Sequence, residues 1–79
     1  MKILIVKANF KGVTKDKIYN VEKIEYSDEY GNDVPKKEAV LETVHYKNDN
    51  NELWDDCKNI KDDKCGISCL SNEYLLLEV

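Results

Sequence analysis

The sequence predicts a small, mainly β domain, and three observations carry that expectation. Residues 2–8 (KILIVKA) form a β-branched apolar run, residues 17–26 (KIYNVEKIEY) alternate, and residues 74–79 (YLLLEV) form a second apolar strand pattern. At 79 residues the chain makes one domain with a thin core. That size excludes a two-lobed enzyme and any internal array of repeats.

Each element follows in order. Asn9 and Gly12 bound the first run, and residues 10–17 (FKGVTKDK) read as a loop. Within 17–26, Tyr19 and Val21 share one parity, whereas Ile24 and Tyr26 fall on the other. That change of phase predicts a β-bulge near Glu22–Lys23, which bends a strand from one sheet into the next. Residues 27–33 (SDEYGND) form a polar turn with Gly31. Between 33 and 60 two readings stay open. In one, Asp33 caps a helix with Pro35 in its first turn and Val40, Leu41 and Val44 on its stripe. Leu53, Trp54, Cys57 and Ile60 then make a second short helix, begun by the Asn-rich turn 48–51. In the other, 40–46 (VLETVHY) is a strand with Val40, Val44 and Tyr46 on one face. The helical reading is preferred, so residues 27–59 are expected as a middle insertion with helical content. Asp62-Asp63-Lys64 with Gly66 is turn chemistry, and Ile67 and Cys69 alternate with Ser68. Leu70 then leads into the Ser71-Asn72-Glu73 turn. Apolar residues at both ends imply that the first and last strands pair, closing the sheet and removing its edges.

Charge is unevenly placed. All twelve basic residues are lysine. Residues 1–20 carry five lysines against Asp16 alone, a balance of +4, and residues 21–79 carry seven lysines against fifteen carboxylates, a balance of −8. A stretch of that sign is repelled by phosphate backbones, and without arginine the chain lacks the side chain best shaped for guanine readout. Direct nucleic-acid binding is excluded as an expectation. No run approaches the ~20 apolar residues of a membrane span. The opening MKILIVKANF is read as a strand rather than an export signal, because its short apolar run is broken by Lys7. The three cysteines are therefore expected as free thiols, in the cytoplasm of a bacterial host.

The order of these signals resembles a known family. An apolar strand is followed by Gly12-Val13-Thr14-Lys15-Asp16-Lys17-Ile18-Tyr19-Asn20-Val21. Later come Ile60-Lys61-Asp62-Asp63, a turn with glycine, and a last strand from Tyr74 to Val79. This pattern, over about residues 2–26 and 60–79, is similar to the short SH3-like barrel proteins of phages and prophages of low-GC bacteria. The resemblance implies a single SH3-like domain over residues 1–79, interrupted at about 27–59, and an accessory, non-catalytic role. Asp16 stands where the family usually has glycine, so a differently shaped first loop is expected.

Candidate chemistry reduces to three groups. Cys57, Cys65 and Cys69 with His45 are the only set that suggests zinc, and only Cys65 and Cys69 have ligand-like spacing. A zinc-stabilised structural or adaptor module is the alternative class. Thiol catalysis at Cys65 is disfavoured, because Asp62 and Asp63 raise a neighbouring thiol's pKa and so small a core has little room for a substrate cavity. Calcium lacks its D-x-D-x-D-G loop. No cofactor is expected, and no enzymatic activity. The carboxylates and aromatics remain: Glu25, Asp28, Glu29, Tyr30 and Asp33 in one stretch, Glu52, Trp54, Asp55 and Asp56 in another. If the fold joins them, they make an anionic face with aromatic anchors, suited to a basic groove. The expected function is a non-enzymatic, protein-binding accessory factor of a phage or mobile element. In its sharpest form it is a DNA-mimicking inhibitor of anti-CRISPR or anti-restriction type, which occupies the nucleic-acid groove of a host defence enzyme.

Overall fold

A computed structural model describes residues 1–61, the backbone of 64–65, and residues 71–78. The readings that fall on Asp62, Asp63, Gly66, Ile67, Cys69, Leu70 and Val79 lie outside these residues. Six strands are described: β1 (Lys2–Lys7), β2 (Ile18–Ser27), β3 (Leu41–Lys47), β4 (Leu53–Asn59), β5 (Lys64–Cys65) and β6 (Glu73–Leu77). They lie in the order β5-β4-β3-β2-β1-β6, all antiparallel. The protein is mainly β with a small barrel-like fold, and its first and last strands are neighbours, as the apolar termini imply.

The bend sits where the phase of β2 changes. Residues 18–20 pair with β1 and residues 21–27 pair with β3, with a register shift between Val21 and Lys23. One extra residue there lets Tyr19, Val21 and Ile24 all turn toward the core despite their mixed parity. The strand thus belongs to two half-sheets, β6-β1-β2 and β2-β3-β4-β5. Ile3, Ile5, Val13, Tyr19, Val44, Tyr46 and Tyr74 fill the space between them, flanked by Val21, Ile24, Trp54 and Leu76.

One expectation is corrected. The segment 33–60 is not helical beyond one 3₁₀ turn at Lys36–Glu38. Pro35 precedes that turn, no side chain caps it, and Asp33 instead bridges to Ser27. Of the two stripes, Leu41 and Val44 lie in β3 and Leu53, Trp54 and Cys57 in β4, with Val40 and Ile60 just outside the strands, and β3 and β4 stand at the centre of the larger half-sheet. The Asn-rich turn does not begin a helix but closes the β3–β4 hairpin. Asn48 Oδ1 accepts from the N–H groups of Asn50 and Glu52, and Asn51 takes φ 61, which asparagine tolerates. Among the described residues no strand pairing crosses the seam between β6 and β4 or β5.

The first loop is docked on that hairpin. Gly12 takes φ +102 and its carbonyl accepts from Asp49 N–H at 2.8 Å; a Cβ there would meet Asn48 Nδ2 at 3.1 Å. Asp16 takes φ 67, in the left-handed region that glycine also favours.

Candidate functional site

Inward-facing carboxylates organise the seam. In β4 the alternation turns Asp56 inward, and it is 3% exposed. A buried carboxylate is tolerable only with its lone pairs satisfied. Asp56 accepts from the Tyr46 hydroxyl, from Ser71 Oγ at 3.1 Å, and from the backbone N–H of Asn72 at 3.2 Å. Burial, followed by the bond to Asp56, pushes the Tyr46 phenol well above its usual range. Asn72 is itself fully buried, and its Oδ1 accepts from the N–H groups of Asn9 at 2.7 Å and Phe10 at 3.1 Å. A second pair repeats the device: the Tyr74 hydroxyl donates to Glu42 Oε1 at 2.9 Å, with Glu42 3% exposed. Among the described residues, side chains rather than strand pairing therefore join the β4 side of the seam to the chain entering β6.

This network fixes Phe10 beside the start of β4. Phe10, Leu53, Trp54, Asp55 and Asp56 line a cleft of about 320 Å³. Trp54 is half-buried against the core, whereas Leu53 is 66% exposed. Asp55 is exposed on the outer side of the strand, and Glu52 is exposed in the hairpin next to it. An aromatic floor with an acidic rim suits an apolar side chain accompanied by a cation.

The expected contact residues do not form one surface. Asp28, Glu29, Tyr30 and Asp33 lie beyond the Ser27 end of β2, and Glu52, Trp54 and Asp55 lie at the opposite end of the same half-sheet. The register rows Ser27/Leu41/Asn59 and Val21/Tyr46/Trp54 are five or six residues apart, about 20 Å along the strands. Glu25 lies between the two ends but is already engaged, with His45 Nε2 at 2.7 Å and Lys23 Nζ at 3.8 Å. Asp28 is occupied within its own turn: the N–H groups of Asn32 and Tyr30 bond its carboxylate and hold its pKa below the usual range. Glu29 and Asp33 are exposed, and Tyr30 is 81% exposed at the tip. Asp56 is corrected outright. Its carboxylate is committed inward and is structural.

Neither Phe10 nor Leu53 was expected as a contact residue from the sequence, which placed Leu53 on an apolar helical stripe. Leu53 carried a signal, since its neighbour Trp54 takes the inward position and leaves a large apolar side chain facing out. Phe10 carried none, because only the Asn72 contact brings it across. A more polar cleft of about 380 Å³ lies by Lys17, Lys47 and Asp49. Asp49 is already engaged there. Lys17 bonds it first, then Thr14 and Tyr19, and together they hold its carboxyl below the usual range.

Among the described residues no group of three or more His, Cys, Asp or Glu side chains is placed to hold a metal, and no helix is long and apolar enough to cross a membrane. The side chains of Cys65 and Cys69, two of the four donors considered for zinc, lie outside those residues. The chain matches no family model, no curated protein and no solved structure.

Proposed function

We propose that this chain is a non-enzymatic, protein-binding accessory factor of a phage or other mobile element, acting in the bacterial cytoplasm. The observation that carries the binding role is the Phe10–Leu53–Trp54 cleft with Asp55 at its rim. An exposed leucine beside a half-buried tryptophan costs solubility and makes an anchor for a partner. The setting rests on the resemblance of residues 2–26 and 60–79 to phage barrels. The inhibitory form of the proposal uses the same end of the molecule: Glu52 and Asp55 dock on a cationic groove of a nucleic-acid-handling host enzyme, where phosphates otherwise sit.

Affinity capture from lysate of a low-GC bacterium tests this. The wild-type chain is expected to retain one host protein at 0.1 M salt and to lose most of it at about 1 M, where the Debye length falls to about 3 Å. Leu53→Asp should abolish retention, and Glu52→Lys with Asp55→Lys should slow association. Retention that survives both substitutions refutes the proposal.

A further inference from the structure

The cleft adjoins the outer edge of β4, and that edge bears on how a partner attaches. The Asn48 N–H donates to the Glu52 carbonyl at 2.9 Å, and the Ile60 N–H to the Val40 carbonyl at 3.0 Å. Hydrogen-bonded pairs alternate along an antiparallel ladder, so Trp54, Asp56 and Lys58 direct their backbone groups toward β3. Leu53, Asp55 and Cys57 direct theirs to the other side. There the Cys57 N–H is taken by Ser71 Oγ at 3.2 Å, and β5 covers only Lys58 and Asn59. The N–H and C=O groups of Leu53 and Asp55 thus form an edge with no partner among the described residues. Proteins usually blunt such edges. Here, among the described residues, the edge runs unpaired beside an aromatic cleft.

We propose that a partner binds by strand addition, laying an extended segment along Leu53–Asp55. Resting on the protein-binding reading above, this names the chemistry of the partner. Main-chain bonds to Leu53 and Asp55 supply affinity, and alternate side chains supply specificity. The residue opposite Trp54 points into the cleft and is apolar, because Phe10 and Trp54 line it. Residues opposite Leu53 and Asp55 stand on the outer face, where the cross-strand neighbours call for an apolar side chain and a lysine or arginine. The partner segment therefore reads apolar, apolar, basic, in extended conformation. The −8 balance of residues 21–79 favours the same cationic partner.

Selection from a displayed library of random peptides against the full chain provides the probe. Enrichment of consecutive apolar residues next to lysine or arginine is expected. The best selected peptide should slow amide exchange at Leu53 and Asp55, and Asp55→Lys should weaken it about tenfold or more. Failure to enrich, or enrichment of proline-rich or acidic peptides, overturns the proposal. A peptide whose binding is lost in Leu53→Asp, yet leaves both amides exchanging as before, overturns strand addition but keeps the cleft as contact site. Binding indifferent to Leu53→Asp overturns both readings.

Discussion

The two half-sheets are built from the same strand type but are held by different forces. The β6-β1-β2 half turns Ile3, Ile5 and Leu76 inward with Tyr19 and Tyr74, and its interior is almost wholly apolar. The β2-β3-β4 half turns Glu42 and Asp56 inward beside Val44, Tyr46 and Trp54. Hydrocarbon burial is non-directional and tolerates any neighbour of the right size. A buried carboxylate requires named donors in fixed places. The first half is therefore a generic core, and the second is a specific lock across the seam. The lock also positions Phe10, through Asn72, so the proposed binding cleft depends on the half that is harder to build.

The comparison can be broken or sharpened experimentally. Ile5→Ala should cost about 4 kcal/mol by cavity formation, and Ile5→Val about 1 kcal/mol, since the hydrocarbon half responds to volume. Chemical denaturation reads both. Asp56→Ala should cost about 3 kcal/mol, because it strands the Tyr46 hydroxyl, Ser71 and Asn72. A near-isosteric Asp56→Asn that costs as little as Ile5→Val would show that charge is irrelevant to the lock. Gly12→Ala should cost about 1 kcal/mol, because alanine is strained at φ +102 and presses on Asn48. An unchanged denaturation midpoint would mean that the first loop's docking on the hairpin contributes nothing.

The smallest effect is on pH dependence. The folded-state pKa values of Asp28 and Asp49 are lowered, so the stability they contribute is present above the ordinary carboxyl value of about 3.9. It is lost as pH falls through the lower folded values. Lys17 has the opposite sign: its raised pKa contributes stability below its ordinary value of 10.5, lost as pH rises through the folded one. Asp49→Asn should flatten both limbs of a melting-temperature profile, whereas Asp28→Asn should flatten only the acid limb. A profile identical to wild type in both variants would contradict these interactions.

Legibility in the sequence followed the same division. Strand β1, the bulge in β2 and the pairing of the two termini were readable, because β-branched runs and a parity change are local signals. The strand reading of β3 stayed open beside the preferred helical one, and β4 was read as a short helix. Their inward positions include Glu42, Asp56 and Lys58, which erase the apolar alternation that announces a half-buried strand. What remained visible, Leu53, Trp54, Cys57 and Ile60, happens to fit a helical spacing. Nothing near Asp56 in sequence announces that Ser71 and Asn72 will supply its donors.

The candidate site shows the limit most clearly. Trp54 and Asp55 were recognisable as contact types, but their distance from Tyr30 and Asp33 depends on strand register. The sequence by itself determined the β class, the bend and the acidic balance, because composition and short-range periodicity act through each residue's own burial. Tertiary structure alone decided which carboxylates are buried and, among the described residues, which backbone groups lack a strand partner. Those outcomes depend on hydrogen-bond partners about 15 to 60 residues away, and a one-dimensional pattern carries no record of them.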